Sequence, residues 1–502
     1  MQIALLPLDE RPVNVRLPAD VAAIAGATVV VPPASALPDR RRPGDLDALG
    51  GWLAEQCHDA RTDAAVVSVD MLLHGGLIAS RLSDDDLPAT LARVQTLRTI
   101  RAARPGMPVS AVSVVMRASD SYIADEEPEY WTRHGRDLHA LGGELHRAFL
   151  GEPAPPERAQ ARVVPDDVRG DFLRRRLRNH AANLAAVELA ADGVVEPLLI
   201  TADDTATRSA GSLEQVWLDQ WVRALQLDAR SVLVHAGADE VGTVLVSRAL
   251  SVLDATPVRI RVVCADPAGL ERVALYENSS VGAGAASQVR ASGSVVVVDG
   301  ETDALLVVHA PDPDRGDWRG DPFADGRSAP AEATVAAVRT ALDSGAAVGV
   351  ADVRYANGAD PALVERLRDE GLLSELSAYG GWNTAGNTIG SVVGALRACV
   401  VGKRAGTFDA DAARRLVVHR ALEDWGYQAL VRTRLTGDID PRTGEDPAAG
   451  TAEPGYLEQT RRGLEVLLGT LVPGARLDRV ELPWHRSFEV DFDVSLPDGS
   501  GR

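Results

Sequence analysis

Short runs of aliphatic and β-branched residues recur along the chain, and stretches of helical length separate them. The runs lie at 3–7 (IALLP), 27–32 (ATVVVP), 64–70 (AAVVSVD), 109–115 (VSAVSVV), 196–202 (EPLLITA), 231–236 (SVLVHA), 258–265 (VRIRVVCA), 294–299 (SVVVVD), 304–310 (ALLVVHA), 346–352 (AAVGVAD) and 376–382 (LSAYGGW). Several are apolar throughout instead of alternating. A strand reads that way when helices cover both of its faces, as in a parallel sheet. Amphipathic stretches at 45–57, 86–103, 212–227 and 332–345 predict helices between the strands. The β-then-α rhythm predicts an α/β fold. The expected architecture is a TIM-like (β/α) barrel over residues 1–400; the alternative is two doubly wound α/β lobes. Strand candidates exceed the eight a barrel needs, so 255–400 is open to reading as a second α/β unit.

The rhythm breaks twice. Residues 117–195 hold no clear strand, and they predict a helical insertion, a lid over a site. Past about residue 405 the strand runs stop, and helices are expected at 410–433 and 456–471. The end, LPWHRSFEVDFDV, alternates like a strand. Residues 401–502 therefore predict a helical C-terminal extension ending in a strand.

Polar residues collect just after the apolar runs, in LPLDERP, VSVDMLLHGG, MRASDSY, ITADDTATR, HAGADEVG, ADVRYANG and AYGGWNTAGN. Sites in α/β folds form at the C-terminal ends of strands. Each cluster alone is also what a helix N-cap looks like. Seven of them, with Trp, Tyr, His and Arg mixed in, favour a shared pocket.

Composition narrows the class. The 502 residues are 45% hydrophobic and 25% charged, with a net charge of −20. Such acidity disfavours nucleic acid and anionic membranes as partners, since both need a basic face. No stretch reaches the roughly 18 apolar residues of a membrane span. The three cysteines, Cys57, Cys264 and Cys399, lie far apart with no CxxC. That spacing and the N-terminus MQIALLPLDERP, which has no basic segment, lead to a cytoplasmic expectation. Lys403 is the one lysine, and it lacks the GxxxxGK[ST] pattern of a phosphate loop.

Asp239 and Glu240, adjacent acids behind the strand run 231–236, are the sharpest chemical feature. Like charges that close repel, which leaves one proton on the pair and lets the two acids do different jobs. Asp203 and Asp204 pose the same arrangement a second time. The plain alternative for both pairs is an exposed loop or a cap. Around them stand candidate ligand contacts: Asp9, Glu10 and Arg11 after the first run, Asp70 and His74 with the Gly75–Gly76 turn after the third, Arg117 after the fourth, and His235. Arg11 beside two acids is open to two readings, an internal ion pair or a ligand contact. Tyr355, Asn357, Tyr379, Trp382, Asn383 and Asn387 are residue types that suit sugars. A Trp face stacks on a pyranose and an Asn amide pairs with hydroxyls. A buried core Trp is the alternative reading of Trp382.

HAGADEV resembles the H-x-G-G-D-E-V signature of family 20 glycoside hydrolases, the β-N-acetylhexosaminidases, departing from it at Ala238. The resemblance implies that Asp239 orients a 2-acetamido group, Glu240 is the general acid and His235 supports them. The Asp203–Asp204 pair is similar to the adjacent aspartates of family 84 hexosaminidases. Over the whole chain, the ordered motifs LPLDERPVN, SVDMLLHGGLIASR, ITADDTA, HAGADEVG, ADVRYANGAD, YGGWNTAGNTIG and LPWHRSFEV resemble domain of unknown function 4127. That resemblance implies one family-level constellation but no activity. The leading expectation is a glycosidase acting on N-acetylhexosaminides, with a small-molecule or oligosaccharide substrate and no cofactor. A metal-dependent hydrolase or lyase built on the aspartates, and a non-catalytic sugar-binding protein, are the alternatives.

Overall fold

A computed structural model describes all residues except 154–163, 204, 229, 315, 319–327, 438–445 and 498–502. The chain divides into two compact units. The first comprises 1–19, 27–252 and 276–279; the second comprises 20–26, 253–275 and 280–502.

The first unit is built on six parallel strands: β1 (Gln2–Leu6), β2 (Thr28–Val30), β3 (Ala64–Ser68), β4 (Val109–Val115), β5 (Leu198–Ala202) and β6 (Val232–Ala236). Their order in the sheet is β2-β1-β3-β4-β5-β6. β3, β4 and β5 are buried at every residue, so their sequences are mostly apolar without strict alternation, the polar exceptions being the small Ser68, Ser110, Ser113 and Thr201. One face carries Ala4, Leu6, Ala65, Val67, Ala111, Val115, Leu198, Ile200 and Ala202. Onto it pack Leu49 and Leu53 of helix Leu46–His58, Ala182, Ala186 and Val187 of Asp166–Ala191, and Leu218 and Val222 of Ala210–Ala224. Each fully buried aliphatic side chain is worth about 1.5–3 kcal/mol of transfer free energy. Helix Val241–Ala249 packs on β1, β3 and β4. Between β4 and β5 the described residues form helices Trp131–Leu150 and Asp166–Ala191.

The second unit has five parallel strands: β7 (Arg259–Cys264), β8 (Val295–Val296), β9 (Ala304–His309), β10 (Ala347–Asp352) and β11 (Ala378–Gly380). They lie in the order β11-β10-β9-β7-β8. Helix Ser328–Leu342 supplies Ala331, Val335 and Val338 to a core with Leu305, Val307, Val348 and Val350. On β10, a Cβ at Gly349 would lie 2.8 Å from Val392 and 2.9 Å from Leu396. Glycine there lets helix Ala385–Ala405 sit close to the strand. That helix is long and apolar enough to cross a membrane by composition, and it is buried within this unit. A hairpin, β12 (Arg476–Glu481) with β13 (Asp491–Ser495), packs with helix Glu453–Leu471 through Leu464, Leu468, Val480 and Phe492.

The α/β class and the parallel sheets match the sequence pattern. A closed barrel does not emerge. Among the described residues both sheets are open, and the end strands β2 and β6 do not pair with each other. In each unit the strand order reverses once. The chain passes from β1 to β2 on one side and then to β3 on the other, and likewise from β7 to β8 and then β9.

Candidate functional site

The C-terminal ends of β1, β3, β4, β5 and β6 share one edge of the first sheet, because all five strands are parallel. The segments that follow these strand ends carry Asp9, Glu10 and Arg11, then Asp70 and His74 on the short helix Val69–His74, then Arg117, then Asp203, then Asp239 and Glu240. Asp204 lies outside the described residues.

Arg11 is the hub of the first cluster. Its Nε and Nη2 donate to Asp9 Oδ2 at 2.9 and 2.7 Å. Nη2 also donates to Asp239 Oδ1 at 2.5 Å, and Nη1 to Asp239 Oδ2 at 3.4 Å. Asn14, in the first turn of helix Pro12–Ile24, donates from Nδ2 to Asp9 Oδ1 at 2.8 Å. Asp9, Arg11, Asn14 and Asp239 are all buried, with Asn14 only 1% exposed. Glu240 is fully buried. Its carboxyl fills the space beside Gly237, where a Cβ would lie 2.1 Å from Oε1. Gly237, at φ +111°, has the conformation that allows this. Asp239 is thus gripped by a guanidinium, and the Glu240 carboxyl lies against the Gly237 backbone. His235 is buried, with Nδ1 2.8 Å from the Ala236 carbonyl. Glu10 Oε1 accepts the Arg40 amide at 2.7 Å.

A second cluster surrounds Asp203. Arg81 donates to Asp203 Oδ2, and lies 3.1 Å from Glu126 and 3.7 Å from Glu127. Arg117 bridges the same acids, at 2.8 Å to Glu126, 2.9 Å to Glu127 and 3.9 Å to Asp203. Arg81 is buried, so its charge has to be met by these carboxylates.

Asp70 occupies a third position. Its Oδ2 accepts the Val114 amide of β4 at 2.8 Å, continuing the ladder past the end of β3. Burial pushes its carboxyl up to about 7, against the opposing pull of the Val114 N–H and of Arg81. His74 is buried, and desolvation first and then the Arg178 and Arg93 charges depress it to about 3, so the ring is neutral. The Gly75–Gly76 turn makes its close approach to the chain's own backbone. Gly44 N–H donates to Gly75 O at 2.9 Å, and a Cβ on Gly75 would lie 2.8 Å from Gly44 O.

The other sequence candidates belong to the second unit. Tyr379 donates to Asp352 Oδ2 at 3.5 Å, and Asp352 also accepts the Asp360 amide at 2.7 Å. His309 lies 3.1 Å from Asp360 and 2.7 Å from Thr334 Oγ1. Burial, chiefly, raises Asp352 to about 6. Asn357 and Asn383 both have left-handed backbones, at φ 59° and 66°, and the Asn357 amide donates to Asn383 O at 3.1 Å. Asn357 Nδ2 also donates to Asp317 at 3.0 Å. Tyr355 stands edge-on to Trp318, with ring centroids 5.3 Å apart. Trp382 is buried, 5% exposed, with its ring 5.9 Å from Phe488. Asn387 sits in the first turn of helix Ala385–Ala405, its amide capped by Thr384. Among the described residues no group of three or more His, Cys, Asp or Glu has the geometry of a metal site.

The sequence reading misses Arg81, Glu126, Glu127 and His309, whose partners become visible only in three dimensions. A family model described as "Protein of unknown function (DUF4127)" matches residues 3–493. The chain belongs to this family. The match spans both units and every cluster described above. No curated protein matches the chain.

Proposed function

We propose that the protein is a glycoside hydrolase acting on N-acetylhexosaminides, with its reacting centre at the C-terminal edge of the first sheet. The observation that carries this reading is the placement of two adjacent buried acids just past the end of β6. Arg11 grips Asp239 at 2.5 Å, while the Glu240 carboxyl folds over Gly237. In substrate-assisted hydrolysis one acid stays fixed and ionised to orient the acetamido group, and its neighbour delivers a proton to the leaving oxygen. A carboxylate tied to a buried guanidinium suits the first task. Glu240 takes the second. Asp9 positions Arg11 and, through it, Asp239. Asp203, tied to Arg81 and Arg117, is assigned to substrate hydroxyls. We further read each unit as a doubly wound lobe instead of part of a barrel, since one reversal of strand order marks such sheets and places ligands at the reversal.

The experiment is release of p-nitrophenol from N-acetylglucosaminide and N-acetylgalactosaminide substrates, by wild type, Glu240→Gln and Asp239→Asn. Turnover by wild type and a loss of about 10²–10⁴-fold in Glu240→Gln is expected. Full activity in Glu240→Gln rejects the role given to Glu240, and an inert wild type rejects the reaction.

A further inference from the structure

The Asn14 amide has one correct orientation. Its Nδ2 faces Asp9 Oδ1 at 2.8 Å, and turning the group over would set two acceptors against each other. Among the described residues Oδ1 then has no donor, in a residue 1% exposed. A buried acceptor left unpaired is costly, so such an atom is normally met by water or by a ligand. Its position favours a ligand. Asn14 lies in the first turn of the helix that follows β1, and β1–β3 is the point where the strand order reverses. Open α/β sheets bind ligands there, outside the carboxyl ends of the strands. Asn14 also touches Asp9, which shares Arg11 with Asp239.

The chemistry of the ligand group follows from the neighbours. Oδ1 needs a donor. The Arg11 guanidinium, one carboxylate away, disfavours a second cation. A neutral donor, a hydroxyl, fits both conditions. We propose that Asn14 Oδ1 accepts a hydroxyl of a polyhydroxylated ligand, making the Asp9–Arg11–Asn14 corner a sugar-binding subsite beside the Asp239–Glu240 pair. The subsite rests on the hydrolase reading only for its position next to the reacting centre. Asn14 is a specificity residue in this assignment and touches no reacting atom.

The test is titration of wild type and Asn14→Ala with N-acetylglucosamine by calorimetry, with KM and kcat measured on the p-nitrophenyl glycoside. Loss of one neutral hydrogen bond should weaken binding, or raise KM, about tenfold with kcat little changed. Wild-type turnover with an unchanged KM in Asn14→Ala overturns the subsite and leaves the hydrolase standing. Saturable binding weakened tenfold in Asn14→Ala, without turnover in either protein, supports the subsite and rejects the hydrolase. If Asn14→Ala does not fold, crystals of wild type soaked in N-acetylglucosamine decide. A sugar hydroxyl at Oδ1 supports the proposal, and a water at Oδ1 that persists in the soaked crystal overturns it. Absence of N-acetylglucosamine binding to wild type also overturns it.

Discussion

Replacing Asp70 by Asn removes a buried charge while keeping the acceptor for the Val114 amide. Burial raises the Asp70 carboxyl from 3.8 to about 7, and each unit is worth about 1.4 kcal/mol. The sign follows from linkage. A carboxyl raised in the folded state favours folding fully below its unfolded value, and that advantage is lost as pH climbs through 3.8 towards 7. Between pH 5 and pH 8 the folded wild type should lose about 2–3 kcal/mol through this one group. The side-chain amide of the Asp70→Asn variant does not titrate. Its new NH₂ needs an acceptor, which offsets part of the gain by roughly 1–3 kcal/mol at every pH. The pH-dependent part survives that cost. Urea unfolding of both proteins at pH 5 and pH 8, followed by circular dichroism, isolates it, because all other titrating groups cancel. The stability of Asp70→Asn relative to wild type should rise by about 2–3 kcal/mol from pH 5 to pH 8. A relative stability that is the same at both values refutes the reasoning.

Arg11→Ala should cost about 3–5 kcal/mol in urea unfolding, because it strands the buried carboxylates of Asp9 and Asp239. Gly237→Ala should abolish glycoside hydrolysis and lower the thermal midpoint together, since its Cβ would fall 2.1 Å from Glu240 Oε1 at φ +111°. Iodoacetamide labelling followed by peptide mass spectrometry should modify Cys264 first. Cys57 and Cys399 are buried, with thiols pushed up to about 11 and about 12, and should label only on unfolding.

The strands were legible because burial on both faces leaves a mostly apolar run, as in β4 and β9. Their order was not. An apolar run records that a strand is covered, but not which strand lies beside it, so the insertion of β1 between β2 and β3 left no local trace. The stretch 86–103 reads as one helix. It forms two, Leu87–Ala92 and Gln95–Ala103, joined by a tighter turn in which Val94 N–H donates to Leu91 O at 3.2 Å. Helical φ/ψ continues through Arg93 and Val94, and so the sequence pattern does not register the change. In the site, Asp9, Asp203, Asp239 and Glu240 stood out because acids after strands are conspicuous. The Arg11–Asp239 pairing spans 228 residues, a partnership set by the fold and not by spacing. Trp382 is buried within the second unit, its ring 5.9 Å from Phe488.

The role of Glu240 is tested most directly by leaving-group dependence. Hydrolysis of p-nitrophenyl and 2,4-dinitrophenyl N-acetylglucosaminides should be compared in wild type and Glu240→Gln. A general acid matters most when the departing phenol is a poor leaving group. The account predicts that Glu240→Gln loses much more rate on the p-nitrophenyl than on the dinitrophenyl substrate. Equal losses on the two, or none on either, would contradict it.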